Sequence, residues 1–261
     1  MKIVDSHCHL FYGGIYEDLA NKIKTAGLND VKYMLTVSTS KNNIEDNIAI
    51  CEKYNNICCS VGIHPHSFSE GYSLEYIKSI LTNRTVVAIG EVGLDYHFED
   101  ETSPENQKEL FKDMLSLCNI SDLPYIIHAR DCFPDILDIM KDYDIENAVF
   151  HCYTGNLKNA KKVLDFGYYM SFSGVITFNK ADDLREVLTY VPDDRILVET
   201  DCPYLTPVPY RGKVNEPAYV RSIAECAAKI RKQSLEDFSR KTTDNFFRLF
   251  PKAKFLLEKE V

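Results

Sequence analysis

Six of the seven histidines fall in four short motifs: His7 and His9 in VDSHCHL, His64 and His66 in GIHPH, His128 in YIIHAR, and His151 in VFHCYTG. Two carboxylates stand in comparable places, Glu91 in VVAIGEVGLDY and Asp201 in ILVETDCPYL. Each motif follows a short apolar run of strand character. Imidazole nitrogens and carboxylate oxygens are donors for divalent ions, and gathered at strand ends they make the ligand set of a metal-dependent hydrolase.

In a strand successive side chains alternate faces, so His7 and His9 point one way and Cys8 the other. An HxH triplet alone is equally at home in a surface loop; the later motifs, and Asp5 upstream as a group that could orient a ligand imidazole, favour metal. Glu91 ends an apolar run and would be costly to bury unpaired. A proton, an arginine or a metal could neutralise it, and its two oxygens could bridge two cations. Asp95 is a supporting group or a turn cap. His128 and His151 follow YII and AVF; either alone would read as a core histidine, but two such positions beside Glu91 favour a second metal. Arg130 and Thr154, just beyond them, could meet an anionic substrate. Asp201 could bind metal and take a proton from water. A helix cap is the alternative, but Pro203 and the proline-broken YLTPVPYRG follow. His64 and His66 read as substrate contacts or a structural turn rather than ligands. Arg211 and Lys213 form a small cationic pair on a loop, solvated or substrate-facing. Cys8, Cys152, Cys202 and the pair Cys58–Cys59 read as packing residues.

The elements that would position these residues alternate along the chain. Strand candidates are 2–8, 31–38, 57–62, 86–91, 125–129, 147–151, 168–173 and 195–200. Amphipathic helical stretches lie between them, among them IYEDLANKIKTAG, IEDNIAICEKY, PENQKELFKDMLSLC and ADDLREVLTYV, and two more follow around 216–231 and 234–249. This alternation predicts a parallel sheet. An open sheet binds at one crevice, whereas ligands here end strands one, three, four, five, six and eight. Only a closed ring brings those ends together, which predicts an α/β (β/α)8 TIM barrel with C-terminal helices as a single domain over 1–261.

A formal net charge of -9 in 261 residues argues against broad electrostatic adhesion to nucleic acid, though not against a substrate held at a local cationic site. Nine cysteines without a CxxC pair, no signal-peptide pattern and no long apolar run predict a reduced, cytoplasmic protein without a membrane span. Oligomeric state is left open.

In order along the chain, DSHCHL, GIHPH, GEVGLDY, IIHAR, HCYTG, ETDCPYL, RGKVNEP and TTDNFFRLF resemble the TatD family of metal-dependent deoxyribonucleases nearly end to end. The resemblance implies an amidohydrolase-type barrel with two divalent ions. One would be held by His7, His9, Glu91 and Asp201, the other by Glu91, His128 and His151. No lysine ends strand four; Glu91 stands there instead. Phe11 follows HL where the family often has an acidic residue. The implied reaction is hydrolysis of DNA phosphodiesters, with single-stranded ends as the expected substrate. Asp201 would act as base, Glu91 as the shared ligand, and His64, His66, Arg130, Arg211 and Lys213 as phosphate contacts. Four imidazoles favour Zn, Mn, Co or Fe, while nuclease chemistry and cellular abundance favour Mg. No aromatic stacking platform can be localised among the 16 tyrosines and 14 phenylalanines. The competing enzyme class is a carbonyl hydrolase acting on an amide, a lactone or an aminoacyl-tRNA ester. A non-catalytic metal-binding scaffold would require a broken ligand set, and this one is intact.

Overall fold

Short β-branched runs such as VKYMLTV and VVAIG favour extended backbone and are too brief for stable helices, whereas the segments between them carry apolar residues at helical spacing. The computed structural model describes residues 1–97 and 102–257. Its strands are β1 (Ile3–Cys8), β2 (Val31–Val37), β3 (Ile57–Val61), β4 (Val86–Asp95), β5 (Tyr125–Arg130), β6 (Ala148–Phe150), β7 (Tyr169–Phe172) and β8 (Ile196–Val198). They form one eight-stranded sheet in chain order, β1 to β8. The pairs β1–β2, β3–β4, β4–β5, β5–β6 and β7–β8 are parallel. Sheet order equal to chain order, with a helix in the crossovers, is the predicted (β/α)8 barrel.

The chain divides into two compact units. The first comprises Met1–Thr36 and Cys152–Arg248. In it β8 lies beside β1: Ser6 Oγ donates to Val198 O at 3.0 Å, and Asp201 N–H donates to His7 O at 2.9 Å. Helix Val220–Ile230 buries Val220, Ile223, Ala224, Ala227 and Ala228, one face at i, i+3, i+4 spacing, against β1, β8 and the turn at Gly174–Thr177. Helix Leu235–Leu249 is tied to the start of β8 by Asn245, whose Nδ2 donates to Asp193 O and Ile196 O at 2.7 and 2.9 Å.

The second unit comprises Val37–His151 and the chain from Leu249. Helix Pro104–Leu115, capped by Ser103, buries Gln107, Leu110, Phe111, Met114 and Leu115. Gln107 is a polar member of that face because it closes the end of β4. Its Oε1 accepts Asp95 N–H and its Nε2 donates to Asp95 O, both at 2.8 Å. Helix Pro251–Leu257 packs on β3 and β4, and Lys252 Nζ donates to Asn83 O at 2.7 Å.

One boundary differs from expectation in a way that matters. β4 does not stop at Glu91 but continues to Asp95, so Glu91 sits mid-strand. Between Ile89 and Val92 the register takes one extra residue against β5, a bulge at Gly90-Glu91 that re-aims the side chain. The strand resumes because Gly93 has no side chain; a Cβ there would stand 2.0 Å from His128 O. Gly62 is required for the same reason on β3's side, where a Cβ would meet the Gly90 carbonyl carbon at 2.5 Å.

Candidate metal-binding clusters

In the first unit the register of β1 against β2 also takes an extra residue between Asp5 and Cys8, and His7 lies in that irregularity. His7 and His9 converge as the alternation predicts: their Nε2 atoms are 3.3 Å apart. Asp201 joins them from the end of β8, its Oδ1 3.6 Å from His7 Nε2 and 3.3 Å from His9 Nε2. Donors about 2.1 Å from one ion at near-tetrahedral angles stand about 3.4 Å apart, so this set already has the spacing of a first coordination shell. The histidines are buried, whereas the Asp201 side chain is 13% exposed and can meet a solute. Asp201 takes a left-handed backbone conformation (φ 56°), which Asp tolerates better than most residues. No helix follows it directly.

Two backbone hydrogen bonds lock this corner, Asp201 N–H to His7 O and His9 N–H to Cys202 O, each 2.9 Å. Asp5 acts differently from the expected ring-orienting role. Its two oxygens accept from Thr200 N–H at 2.8 Å and Thr200 Oγ1 at 2.6 Å, so it fixes the residue before Asp201. Burial pushes the Asp5 carboxyl up to about 8, against those hydrogen bonds. Asp5, Cys8 and Cys202 also lie close together, but Cys8 Sγ donates to Leu35 O at 3.3 Å, the packing role expected of it. Cys58 and Cys59, in the other unit, are fully buried in β3 as expected.

In the second unit the bulge at Gly90-Glu91 turns Glu91 onto two imidazoles. Its Oε1 lies 2.7 Å from both His128 Nδ1 and His151 Nε2, which are 3.1 Å from each other. These are hydrogen-bond separations, shorter than ligands on one ion keep, so the set fits a metal after opening by a fraction of an ångström and losing its shared proton. Ser60 Oγ supports the bulge by donating to Gly90 O at 2.7 Å, and Glu91 N–H donates to Ser38 O at 2.9 Å.

Asp95 proves to be both of the things its position allowed. Its Oδ1 caps the turn by accepting His97 N–H at 2.9 Å, and its Oδ2 lies 3.0 Å from His128 Nε2. The carboxylate thus holds the far nitrogen of His128 and leaves Nδ1 facing Glu91. Burial raises Asp95, but the His128 hydrogen bond and charge outweigh it and bring the carboxyl down to about 2. For His128 burial works downward, and the bonds to Asp95 and Glu91 reverse it, lifting the imidazole above its ordinary value.

His64, Asp95 and His128 bring donor atoms within 4.8 Å of one another. The His64 Nδ1 lone pair, however, accepts His66 N–H at 3.2 Å as the cap of the turn Pro65–Glu70. The remaining nitrogen, 3.7 Å from Glu91 Oε1, then carries the proton of the neutral ring. Burial, reinforced by His128, holds His64 down to about 3, so the ring is neutral. His66 Nε2 lies 3.8 Å from Asp95 Oδ2, and Arg130 ends β5 half-buried. In the first unit the Arg211 guanidinium carbon lies over Phe178, 4.1 Å from the ring centroid, and Arg211 donates to Thr206 O at 2.9 Å; Lys213 Nζ lies over Tyr210, 5.8 Å from its centroid.

Sequence reasoning missed Thr200, which donates to the Asp5 carboxylate, and Gln107 and Asn215, which bond to backbone; none of these roles leaves a periodic signature. It also missed a group of rings. Phe11, Tyr12 and Tyr204 surround His9, with centroids 6.0, 5.7 and 6.3 Å from it. The available signal was adjacency, since they immediately follow HCHL and DCP.

Comparison with known proteins places the chain in a family. The family profile described as TatD related DNase matches residues 4–251. The chain is 40% identical over 255 residues to the uncharacterized metal-dependent hydrolase YcfH of Escherichia coli K12, covering 96% of each. It is 37% identical over 252 residues to the uncharacterized metal-dependent hydrolase YabD of Bacillus subtilis, covering 95% of this chain and 98% of that one. Among solved structures, the TatD homolog YjjV of Escherichia coli K12 superposes with a TM-score of 0.90 at 26% identity, covering 95% of this chain and 98% of that one. Among the described residues no helix is long and apolar enough to cross a membrane. The conserved architecture and the extent of these matches lead to one conclusion: the chain belongs to the TatD-related family of metal-dependent hydrolases.

Proposed function

We propose that the chain is a deoxyribonuclease that hydrolyses phosphodiester bonds of DNA at single-stranded ends, using two divalent ions. One ion is assigned to His7, His9 and Asp201, the second to Glu91, His128 and His151. Glu91 is the shared carboxylate that the family resemblance provides. The observation that carries the reading is the donor geometry. Three atoms in the first unit stand 3.3–3.6 Å apart, and a carboxylate with two imidazoles converges in the second. Bound ions supply a lowered pKa for water and positive charge toward phosphate oxygens, with Mg, Mn, Zn and Co all compatible with mixed imidazole–carboxylate donors.

The chain's own groups do the rest. Asp201 is the base: it is the least buried member of its cluster and has a second oxygen to accept a proton from the attacking water. His64, neutral and carrying its proton on Nε2, donates to a phosphate oxygen without adding charge. His66, Arg130, Arg211 and Lys213 supply further phosphate contacts in an otherwise acidic protein. Such contacts position a strand and do not read its sequence.

The test is degradation of end-labelled single-stranded DNA by purified, chelator-stripped protein, with Mg, Mn, Zn and Co restored separately. Metal-dependent ladders establish a nuclease, and the position of the label gives the direction of attack. No cleavage by protein shown to carry two ions per chain would transfer the assignment to an amide, lactone or aminoacyl-ester hydrolase.

A further inference from the structure

The rings around His9 serve no purpose in holding metal, yet they are arranged about a candidate ligand. Phe11 and Tyr12 lie 4.4 Å apart, tilted by 36°, and Tyr12 and Tyr204 meet edge to face at 5.9 Å. Phe11 and Tyr12 are half-buried, whereas Tyr204 is 52% exposed, unusual for a large aromatic side chain packed among other rings. Resting on the nuclease reading above, we infer that Phe11, Tyr12 and Tyr204 form a stacking subsite for the nucleobase next to the scissile phosphate.

Three observations support this. The first is distance. Each ring centroid lies 5.7–6.3 Å from that of the His9 ring, whose Nε2 belongs to the His7, His9, Asp201 set. A phosphate drawn to that set would carry its base to the rings. The second is rigidity. Tyr204 N–H donates to Asp201 O at 3.0 Å. The fully buried Asn215 donates from Nδ2 to Tyr204 O at 2.5 Å and to Thr200 O at 2.9 Å, so one side chain clamps both ends of the segment that carries Asp201. Tyr12 in turn is held by a turn in which Ile15 N–H and Tyr16 N–H donate to its carbonyl at 3.2 and 2.9 Å. A ring carried on a fixed backbone segment has less freedom to lose on stacking. The third is chemistry. The protein carries a net charge of -9, which supplies little non-specific attraction for a strand, so contacts that are not ionic have a share in holding it. Base–aromatic stacking is such a contact, and it tolerates any sequence because every base has a π-face.

The experiment compares metal-loaded parent, Tyr12→Leu, Tyr204→Leu and Tyr204→Phe on two end-labelled oligothymidylates. One is intact; the other has abasic sites at its two terminal nucleotides at each end. For the parent, kcat/KM is expected to fall roughly 5- to 100-fold on the abasic strand, carried by KM. Each Leu variant loses a comparable factor on the intact strand and little more on the abasic one, while Tyr204→Phe keeps the parent's discrimination. Metal content and thermal midpoint are measured on every variant, and a Leu variant that fails either is replaced in the comparison by Phe11→Leu. Equal kcat/KM of the parent on the two strands, or equal losses by the Leu variants on both, overturns the stacking subsite and leaves the nuclease reading standing. Failure of the parent to cleave either strand overturns both.

Discussion

The two units solve the same problem with the same device and opposite supports. In each, a strand takes one extra residue where a ligand sits: β1 between Asp5 and Cys8, and β4 between Ile89 and Val92. A regular parallel strand alternates its side chains between the two faces, and an inserted residue changes which face a ligand meets. The supports then diverge. The first unit holds His7, His9 and Asp201 through main-chain hydrogen bonds and through Asp5 on Thr200, leaving the ligand atoms spaced for an ion. The second holds its rings by carboxylates directly, Asp95 on His128 and Glu91 on both His128 and His151. Its atoms are drawn together at hydrogen-bond length. The first cluster is preorganised by backbone; the second is preorganised by charge. Losses in the two are therefore expected to show themselves in different measurements.

The largest break falls on Glu91. With Ala there, His64, His128 and His151 keep, among the described residues, Asp95 as a carboxylate beside them, at 3.0 Å from His128 Nε2. Turnover is expected to drop to background and metal content to fall by at least one ion per chain, with the circular dichroism spectrum unchanged. Unchanged stoichiometry in elemental analysis would remove Glu91 from the ligand set. Asp201→Asn comes next. The amide keeps the size of the side chain and one oxygen donor but cannot accept the proton, so a loss of roughly 10²–10⁴ in kcat is expected with most of the metal retained. A parental rate and pH–rate profile would show that Asp201 is not the base.

These positions differ in how legible they were. All eight strands were readable from apolar runs, and the barrel from the spread of candidate ligands over six of them. His7 and His9 could be put on one face because alternation is a local rule. Glu91 looked like a strand end because Gly-Glu-Val-Gly interrupts an apolar run. What was hidden was that Gly93 permits β4 to resume past a carbonyl that a side chain would strike. Asp95 had two readings and fills both, one oxygen for each. The Phe11, Tyr12 and Tyr204 group left no periodic signal, only its adjacency to HCHL and DCP. Two of its rings lie nearly two hundred residues from the third, and only closure of β8 on β1 brings them to one histidine.

The smaller effects separate the two kinds of support. Asp95→Asn weakens the hold on a ligand ring, so metal affinity or kcat is expected to fall about 10- to 100-fold with little change in stability. Equal effects on thermal midpoint and on metal affinity would deny the distinction. Asp5→Asn tests the other support, and here pH is the instrument. Burial puts the folded carboxyl at about 8, well above an unfolded value near 3.8. The folded protein therefore binds a proton that the unfolded chain has released. Stability associated with Asp5 is full below about pH 4 and is lost as pH rises toward 8, with a slope of up to about 1.4 kcal/mol per pH unit. In chelator-treated protein, denaturant titrations of the parent across pH 5–8 should show that decline, and Asp5→Asn should flatten it while retaining a side chain that spans to Thr200. An identical slope in the two proteins would mean that Asp5 is ionised in its pocket and holds Thr200 as a carboxylate. The first unit would then be preorganised by charge as the second is.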